Sequence, residues 1–277
     1  MDNQKINHLL GIHYQSINKI ILSRQDRITG LLSASTAVTT HGDYTDAWVR
    51  DNVYSILCVW GLLSCMMRQS HKVEAYKNSC DPLDPLHAKY GTQTGLAIVA
   101  DDQWGHLQLD ATSLYILMLA QMSASGLTFI YIKDEVDFVQ NIVHYIEHTY
   151  ATADYGIWER GNKINHGNTE INCSSVGMAK AALEAIDEFN LFSNCNTQEG
   201  VIQVVSKTPQ DFTMNQVNLE SLKIESQWPL FFTYLLLDAL MQGEKIEAQY
   251  WFEKLQPLFV QIDGENLFKY LIQEIIQ

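Results

Sequence analysis

The sequence has few cysteines and no metal-ligand motif, which argues against a disulfide framework and against a metal site. Its five cysteines are widely spaced and include no CxxC pair, so they fit neither a disulfide framework nor a zinc site. The nine histidines show no HxH or HExxH spacing, the usual signature of a metal centre. We therefore expect reduced, buried thiols, no metal site and no cofactor.

Basic residues are also scarce. Lys and Arg number 18 against 32 Asp and Glu, which gives a formal net charge of -14. Such a charge repels phosphate backbones and anionic lipid surfaces, so neither nucleic acid nor a membrane is a predicted partner. A neutral ligand such as a sugar meets no such repulsion. Because the same acidity is typical of ordinary soluble proteins, charge alone does not decide the function.

Long hydrophobic runs are absent as well. The most apolar stretches, residues 113–132 and 228–241, are interrupted by polar side chains, and the N-terminus has no apolar core of signal-peptide length. No Walker, dinucleotide-binding or GxSxG motif is present. These absences predict a cytoplasmic protein without kinase, ATPase or serine hydrolase chemistry.

The hydrophobic residues, 47% of the chain, recur mostly at helical spacing. They predict helices over residues 6–21, 48–63, 109–124, 174–189, 228–241 and 246–259, another that Asp134 caps and that runs to 146, and a weaker one from 266 to the terminus. With five prolines, no repeat and no convincing linker, one domain over residues 1–277 is expected. The pattern alone fits helical bundles, solenoids and toroids about equally well.

Five segments together carry a sharper signal. They are ILSRQDRITGLLSAS (21–35), AWVRDNVYSILCVWGL (47–62), DDQWGHLQLDATSLYILMLAQMSASGL (101–127), TADYGIWERG (152–161) and NCSSVGMAKAALEAIDE (172–188). In their order and in the identity of their residues, these segments resemble the N-terminal domain of phosphorylase kinase α and β subunits, which is similar to glycoside hydrolase family 15, the glucoamylases. The match covers most of residues 15–240 but is poor at 191–225 and after 242. The resemblance implies an all-α fold of the (α/α)6 toroid type.

The resemblance also implies a site for an α-glucan or a malto-oligosaccharide. The residues that stand at the family's sugar-binding positions are Trp48, Arg50, Asp51, Trp104, Gln108 and Asp110. A carboxylate and a guanidinium can hydrogen-bond sugar hydroxyls, while an aromatic face stacks on a pyranose ring. A simpler interpretation is also open: an Arg50–Asp51 ion pair at a helix start, a core tryptophan at 48, and an ordinary acidic helix N-terminus before residue 110.

The catalytic residues implied by the resemblance are two carboxylates. Glu159 matches the general acid, and its neighbour Trp158 could raise its pKa by excluding water, as a proton donor requires. Pairing with Arg160 would instead keep Glu159 ionised. An inverting hydrolase also needs a general base roughly 6.5–9.5 Å away. Glu274 is nearest to the family's spacing, with an ordinary polar residue on a terminal helix as the alternative interpretation.

Relative to the family, the sequence lacks stretches near residue 62, between 205 and 225, and at the closing inner helix. An incomplete toroid exposes apolar helix faces, which rearrangement, another subunit or a missing remainder would have to cover. A homo-oligomer or a kinase-like partner subunit is one hypothesis. Three hypotheses result. The chain is an inverting glycoside hydrolase that uses Glu159, a non-catalytic regulatory or scaffold subunit of glycogen metabolism, or a decayed gene product that does neither.

Overall fold

The computed structural model describes residues 3–36, 38, 44–56, 58–156, 169–192, 198–205, 235, 236, 238–240 and 242–258. These residues are mostly helical, which confirms the all-α class. The helices are α1 (Asn3–Ile20), α2 (Val49–Ile56), α3 (Val59–Met67), α4 (Ser70–Ser79), α5 (Leu109–Ala124), α6 (Lys133–Thr149), α7 (Cys173–Ile186) and α8 (Lys245–Leu255). Two short strands, β1 (Ala47–Trp48) and β2 (Lys89–Tyr90), pair in antiparallel fashion. No helix in the described ranges is long and apolar enough to cross a bilayer.

The chain divides into two compact units. One is Ser16–Asn218, and the other combines Met1–Gln15 with Leu219–Gln277. In the second unit, α8 contributes to a small core made of Leu236, Ala239, Ala248, Phe252 and Leu255. The main core belongs to the first unit, which also contains every described residue of the candidate site. The expectation of one domain over residues 1–277 stays a prediction.

Helix α5 is central to the core of the larger unit. The sequence pattern is apolar nearly all round this helix, and the structure confirms both its predicted bounds and its burial. Its most extensive packing is against α7, a helix with the small buried residues Ala179 and Ala182, and it also packs against α2, α3 and α6. A buried central helix fixes the position of its own N-terminus, and the candidate site lies there.

The single helix predicted over residues 48–63 is wrong. Trp48 belongs to β1, where it pairs with Lys89, and two separate helices follow. Cys58 interrupts them in a non-helical conformation, with its thiol 3.0 Å from the carbonyl oxygen of Gly30. Apolar spacing favoured a helix here, but pairing with a strand that is distant in sequence outweighed the local pattern.

The start of α6 also differs from its prediction. The helix begins at Lys133, and Glu135 supplies the cap in place of Asp134. The Glu135 carboxylate accepts hydrogen bonds from the backbone N–H groups of Tyr131, at 2.7 Å, and Ile132, at 3.2 Å. A glutamate in the first turn that reaches back in this way satisfies donors that the helix itself leaves unpaired.

Candidate functional site

The starts of α2 and α5 meet in a buried polar cluster. Arg50 Nη1 donates a 2.6 Å hydrogen bond to Gln108 Oε1 and lies 3.3 Å from Asp110 Oδ2. The Gln108 amide nitrogen in turn donates to the carbonyl oxygen of Gly105 at 3.0 Å. The structure therefore brings together residues that lie about 60 positions apart in the sequence. Among the described residues this guanidinium forms its ion pair with Asp110, and it also attracts the neighbouring Asp51 electrostatically.

An aromatic pair lies beside the polar cluster. The rings of Trp48 and Trp104 meet edge to face, with centroids 5.1 Å apart, and both side chains are more than nine-tenths buried. Lys89 Nζ lies 5.3 Å and 5.1 Å from the two ring centroids, at the distance of a cation–π contact. It also forms an ion pair with Asp46 at 3.1 Å. Sequence reasoning missed Lys89, because only the β1–β2 pairing places it beside Trp48.

Both indole N–H groups of this pair have no acceptor among the described residues. The Nε1 atoms of Trp48 and Trp104 are buried and lack a hydrogen-bond partner within this part of the chain. A buried donor left without an acceptor costs about 1–3 kcal/mol, and such groups are rare in native proteins. Two such donors lie in contacting rings, so one ligand or water oxygen beside the pair would satisfy either of them.

Asp51 differs from the other predicted sugar-site residues because its side chain is exposed. It lies in the first turn of α2, one residue after Arg50. The surrounding protein still removes enough hydration to raise the pKa of Asp51 above its ordinary value, and attraction to Arg50 opposes that rise. An accessible carboxylate in partly desolvated surroundings is suited to accept hydrogen bonds from a neutral hydroxyl ligand.

Asp110 is buried, with 3% of its surface exposed. Loss of hydration raises the pKa of its carboxyl, and the neighbouring Arg50 guanidinium counteracts part of this shift. Asp110 therefore serves to hold and neutralise Arg50 in the interior. Its burial leaves Asp51 and Arg50 as the more accessible charged groups of the site.

Asp154, which the sequence did not single out, ties the start of α5 to the start of α7. Its Oδ2 accepts hydrogen bonds from the Leu109 backbone N–H at 3.0 Å and from the Ser175 hydroxyl at 2.6 Å, and its Oδ1 accepts one from the Asn172 amide at 2.7 Å. Burial raises the pKa of this carboxyl. Asp154 also forms an isolated antiparallel bridge with Glu170. The chain thus enters and leaves the segment that carries Glu159 close to the start of α5.

The described residues do not include every predicted site position. Trp158, Glu159 and Glu274 lie outside them. Their assignment as substrate contact, general acid and general base stays a prediction. Of the nine predicted site residues, the structure brings Arg50, Gln108 and Asp110 into contact and pairs Trp48 with Trp104, while Asp51 is exposed and follows Arg50 directly in α2.

A stacked histidine pair supports the loop before α5. The imidazoles of His87 and His106 are parallel, with centroids 3.7 Å apart, and His87 Nε2 lies 2.7 Å from Asp101 Oδ1. Lys72 Nζ pairs with the same carboxylate oxygen at 2.6 Å. Burial, with help from the neighbouring His87, lowers the pKa of His106 to about 3. The pair is therefore neutral at physiological pH and packs as an aromatic stack.

This neutral stack predicts sensitivity to acid. In the unfolded chain His106 takes up a proton near its ordinary pKa of 6.5, but in the fold it does not do so until about 3. Stability is therefore lost as the pH falls between these values, by about 2 kcal/mol from about pH 6.5 to about pH 4.5 for this group alone. We expect His106→Phe, which keeps an aromatic ring without a titrating group, to lose less stability over that interval. Urea unfolding at a series of pH values measures the difference, and parallel pH profiles for variant and wild type would contradict it.

The sequence model of glycosyl hydrolases family 15 matches residues 9–252, most of the chain. The chain belongs to glycosyl hydrolase family 15. Membership confirms the resemblance found from the five sequence segments and supports the toroid-like type of the all-α fold.

Relatives of this family 15 chain include regulatory proteins. It is 38% identical over 362 residues to the phosphorylase b kinase regulatory subunit alpha, skeletal muscle isoform, of Oryctolagus cuniculus, covering 93% of this chain and 29% of the relative. It is 51% identical over 225 residues to the Mus musculus skeletal muscle isoform, covering 70% and 18%. A probable phosphorylase b kinase regulatory subunit alpha of Drosophila melanogaster is 47% identical over 228 residues, covering 71% and 18%. The chain spans less than a third of the length of these relatives.

The length of the alignment with the Oryctolagus cuniculus subunit bears on the internal deletions predicted from the sequence of this chain. It extends over 362 positions, whereas 93% of this 277-residue chain supplies only about 258 residues. About 100 positions of the alignment therefore have no residue of this chain opposite them. This difference confirms that the family 15 domain is shortened internally here.

Proposed function

We propose that this chain is a non-catalytic family 15 module that binds an α-glucan or malto-oligosaccharide and acts through a partner chain, as a regulatory subunit does. The observation that carries the proposal is the pair of buried indole N–H groups, those of Trp48 and Trp104, without acceptors in the part of the chain that the structure describes. Trp48 lies two residues before Arg50, whose guanidinium Gln108 holds, and the exposed carboxylate of Asp51 follows Arg50 directly. Sugar hydroxyl and ring oxygens supply acceptors and donors for such a set.

The regulatory part of the proposal is supported by the relatives. Those at 38% to 51% identity are described as regulatory subunits of phosphorylase b kinase, and none of the three is described as a hydrolase. A regulatory chain needs a partner, and a kinase-like catalytic subunit or a second copy of this chain is the class that we propose. The cytoplasm, predicted from the sequence, is the compartment in which such a partner and glycogen-type glucans are expected together.

Hydrolysis is the second candidate, because the family model describes glycosyl hydrolases. An inverting mechanism requires an acid and a base that face each other across a gap wide enough for a water molecule. Glu159 and Glu274 are the predicted pair, and Glu159 would have to donate its proton to the glycosidic oxygen. Internal shortening by about 100 alignment positions argues against an intact two-carboxylate site.

Calorimetry with maltotriose and the Asp51→Asn variant tests glucan binding. Because the exposed Asp51 carboxylate makes charge-assisted hydrogen bonds in the proposal, its loss is expected to weaken binding about tenfold or more. The stability of this variant should remain within about 0.5 kcal/mol of wild type, as for an exposed position.

Asp134→Asn is the matched control for that experiment. Asp134 is also an exposed aspartate in the first turn of a helix, α6, but it does not belong to the cluster. We expect its affinity for maltotriose to equal that of wild type. Equal affinities for the Asp51 variant and wild type, or no binding by the wild type, would refute the assignment of the sugar site.

A further inference from the structure

A recess lies at the end of the β1–β2 pair away from the tryptophans. Because the strands are antiparallel, the residues before β1 and those after β2 come to the same end. There Thr45 and Asp46 face residues 91–94, and the 3-10 helix and turn over residues 24–28 form a third wall. The recess has a volume of about 910 Å³. Small-molecule sites typically measure about 300–1,000 Å³.

Hydrogen bonds between its walls build this recess. Thr92 Oγ1 donates to the Thr45 carbonyl oxygen at 2.8 Å, and Thr29 Oγ1 donates to the Thr92 carbonyl oxygen at 2.6 Å. Asp26 Oδ1 accepts hydrogen bonds from the backbone N–H groups of Ile28 and Thr29, each at 2.9 Å. The three walls are thus fixed to one another before any ligand arrives, which lowers the entropic cost of binding.

The charges of the recess favour an anion, in contrast to the chain as a whole. Of its two carboxylates, Asp46 is paired with Lys89, whereas Asp26 accepts backbone N–H groups that lower its pKa, so it stays ionised and offsets one of the two arginines of the recess. Arg24 and Arg27 also line the recess, are exposed, and form no ion pair within the described part of the chain. These two guanidiniums are therefore available to an anion, although the formal net charge of the chain is -14. A planar guanidinium matches the geometry of phosphoryl oxygens.

The other lining residues determine which chemical group, besides the anion, the recess can bind. Eight of its fifteen described lining residues have hydroxyl or amide side chains, among them Ser33, Ser35 and Gln93, and Ile28 and Ile98 add apolar surface. The hydroxyl and amide groups complement a polyhydroxylated body. No aromatic side chain is among the lining residues that the structure describes, so none of these residues offers a nucleobase a stacking surface.

We propose that this recess binds a phosphorylated sugar, with Arg24 and Arg27 on the phosphoryl group and the hydroxyl lining on the sugar. The recess is distinct from the candidate sugar site around Trp48, Arg50 and Asp51, and it does not depend on the function proposed for that site. The two are adjacent, because Lys89 pairs with Asp46 of the recess and lies over both tryptophan rings.

Calorimetry of the whole chain with glucose 6-phosphate tests this proposal. We expect one-to-one binding that the double variant Arg24→Gln/Arg27→Gln weakens at least about tenfold, because both charge-assisted contacts are lost. The matched control is Lys133→Gln/Lys180→Gln, which removes two exposed charges on α6 and α7 outside the recess. The control should bind as wild type does, and thermal unfolding of both double variants verifies that they are folded.

Three further titrations identify what is recognised and where. Glucose, inorganic phosphate and AMP should each bind at least about tenfold more weakly than glucose 6-phosphate. Glucose lacks the phosphoryl group, inorganic phosphate lacks the sugar, and AMP carries a base in addition to both. Asp51→Asn should leave glucose 6-phosphate binding unchanged. The proposal would be overturned by no binding of glucose 6-phosphate, by equal losses in the two double variants, by phosphate or AMP binding as tightly, or by a loss in the Asp51 variant.

Discussion

Arg50→Met is expected to lower the free energy of unfolding by about 3–5 kcal/mol at neutral pH, because it leaves a buried carboxylate without its cation. Arg50 Nη1 lies 3.3 Å from Asp110 Oδ2, and only 12% and 4% of the two side chains are exposed. The methionine keeps most of the apolar stem, so the loss reports the guanidinium and its contacts with Gln108 and Asp110. Urea unfolding followed by far-UV circular dichroism measures it.

The pH dependence of this variant has a defined sign. Burial already raises the pKa of Asp110, and removal of Arg50 takes away the charge that opposes this rise. A carboxyl with a raised pKa in the fold contributes stability at low pH that is lost as the pH rises. The deficit of Arg50→Met relative to wild type should therefore shrink on acidification, as Asp110 becomes protonated.

Arg68→Met is the control for the loss of an arginine. Arg68 is exposed and donates to the Thr94 carbonyl oxygen at 2.9 Å, so its removal should cost about 1 kcal/mol or less. If Arg50→Met were as mild as this control, the buried pair would contribute no more than a surface contact. The cluster would then not hold Arg50 in place for a ligand.

Asp154→Ala is expected to have the second largest effect, a loss of about 3 kcal/mol or more, because it strips acceptors from several buried donors at once. The Leu109 N–H, the Ser175 hydroxyl and the Asn172 amide all donate to this carboxylate. Asp154→Asn keeps one acceptor oxygen and should lose less. Urea unfolding of both variants measures the two losses.

Asp187→Ala provides the comparison for Asp154. Asp187 is an exposed aspartate that follows α7 and accepts one hydrogen bond, from the Val204 N–H at 3.0 Å. Asp187→Ala should lower the free energy of unfolding by about 1 kcal/mol or less. Similar losses at 154 and 187 would show that Asp154 does not connect the starts of α5 and α7 in solution.

Local features of the sequence predicted the central helix, and the resemblance to the family singled out residues that the structure brings together. The bounds of α5 follow from its continuous apolar pattern and the glycine at 126, which has the positive φ of +95° that favours glycine after a helix. The resemblance of segments 47–62 and 101–127 to the family pointed to Arg50, Gln108 and Asp110, and the structure places these residues in contact. Both inferences depend on residues close together in the chain.

The groups that the sequence did not reveal are all brought to the site by distant pairing. Lys89 reaches the tryptophans because β2 pairs with β1, and strands of two residues carry no detectable periodicity. Asp154 meets Leu109 across 45 positions. Helix α4 was also missed, since most of its sequence, SHKVEAYKNS, is polar and only Lys72, Val73 and Tyr76 are buried. Tertiary packing, which a single sequence does not display, decides each of these cases.

Nuclear magnetic resonance of the wild-type chain with maltoheptaose tests the central claim most directly, since one sample reports both binding and turnover. Saturation transfer from protein to glucan protons should occur and should fall in Asp51→Asn, while the anomeric signals of the glucan stay constant over prolonged incubation. The appearance of new anomeric products that Glu159→Gln abolishes would establish a hydrolase instead. Absence of any transfer from the wild-type chain would contradict the glucan site itself.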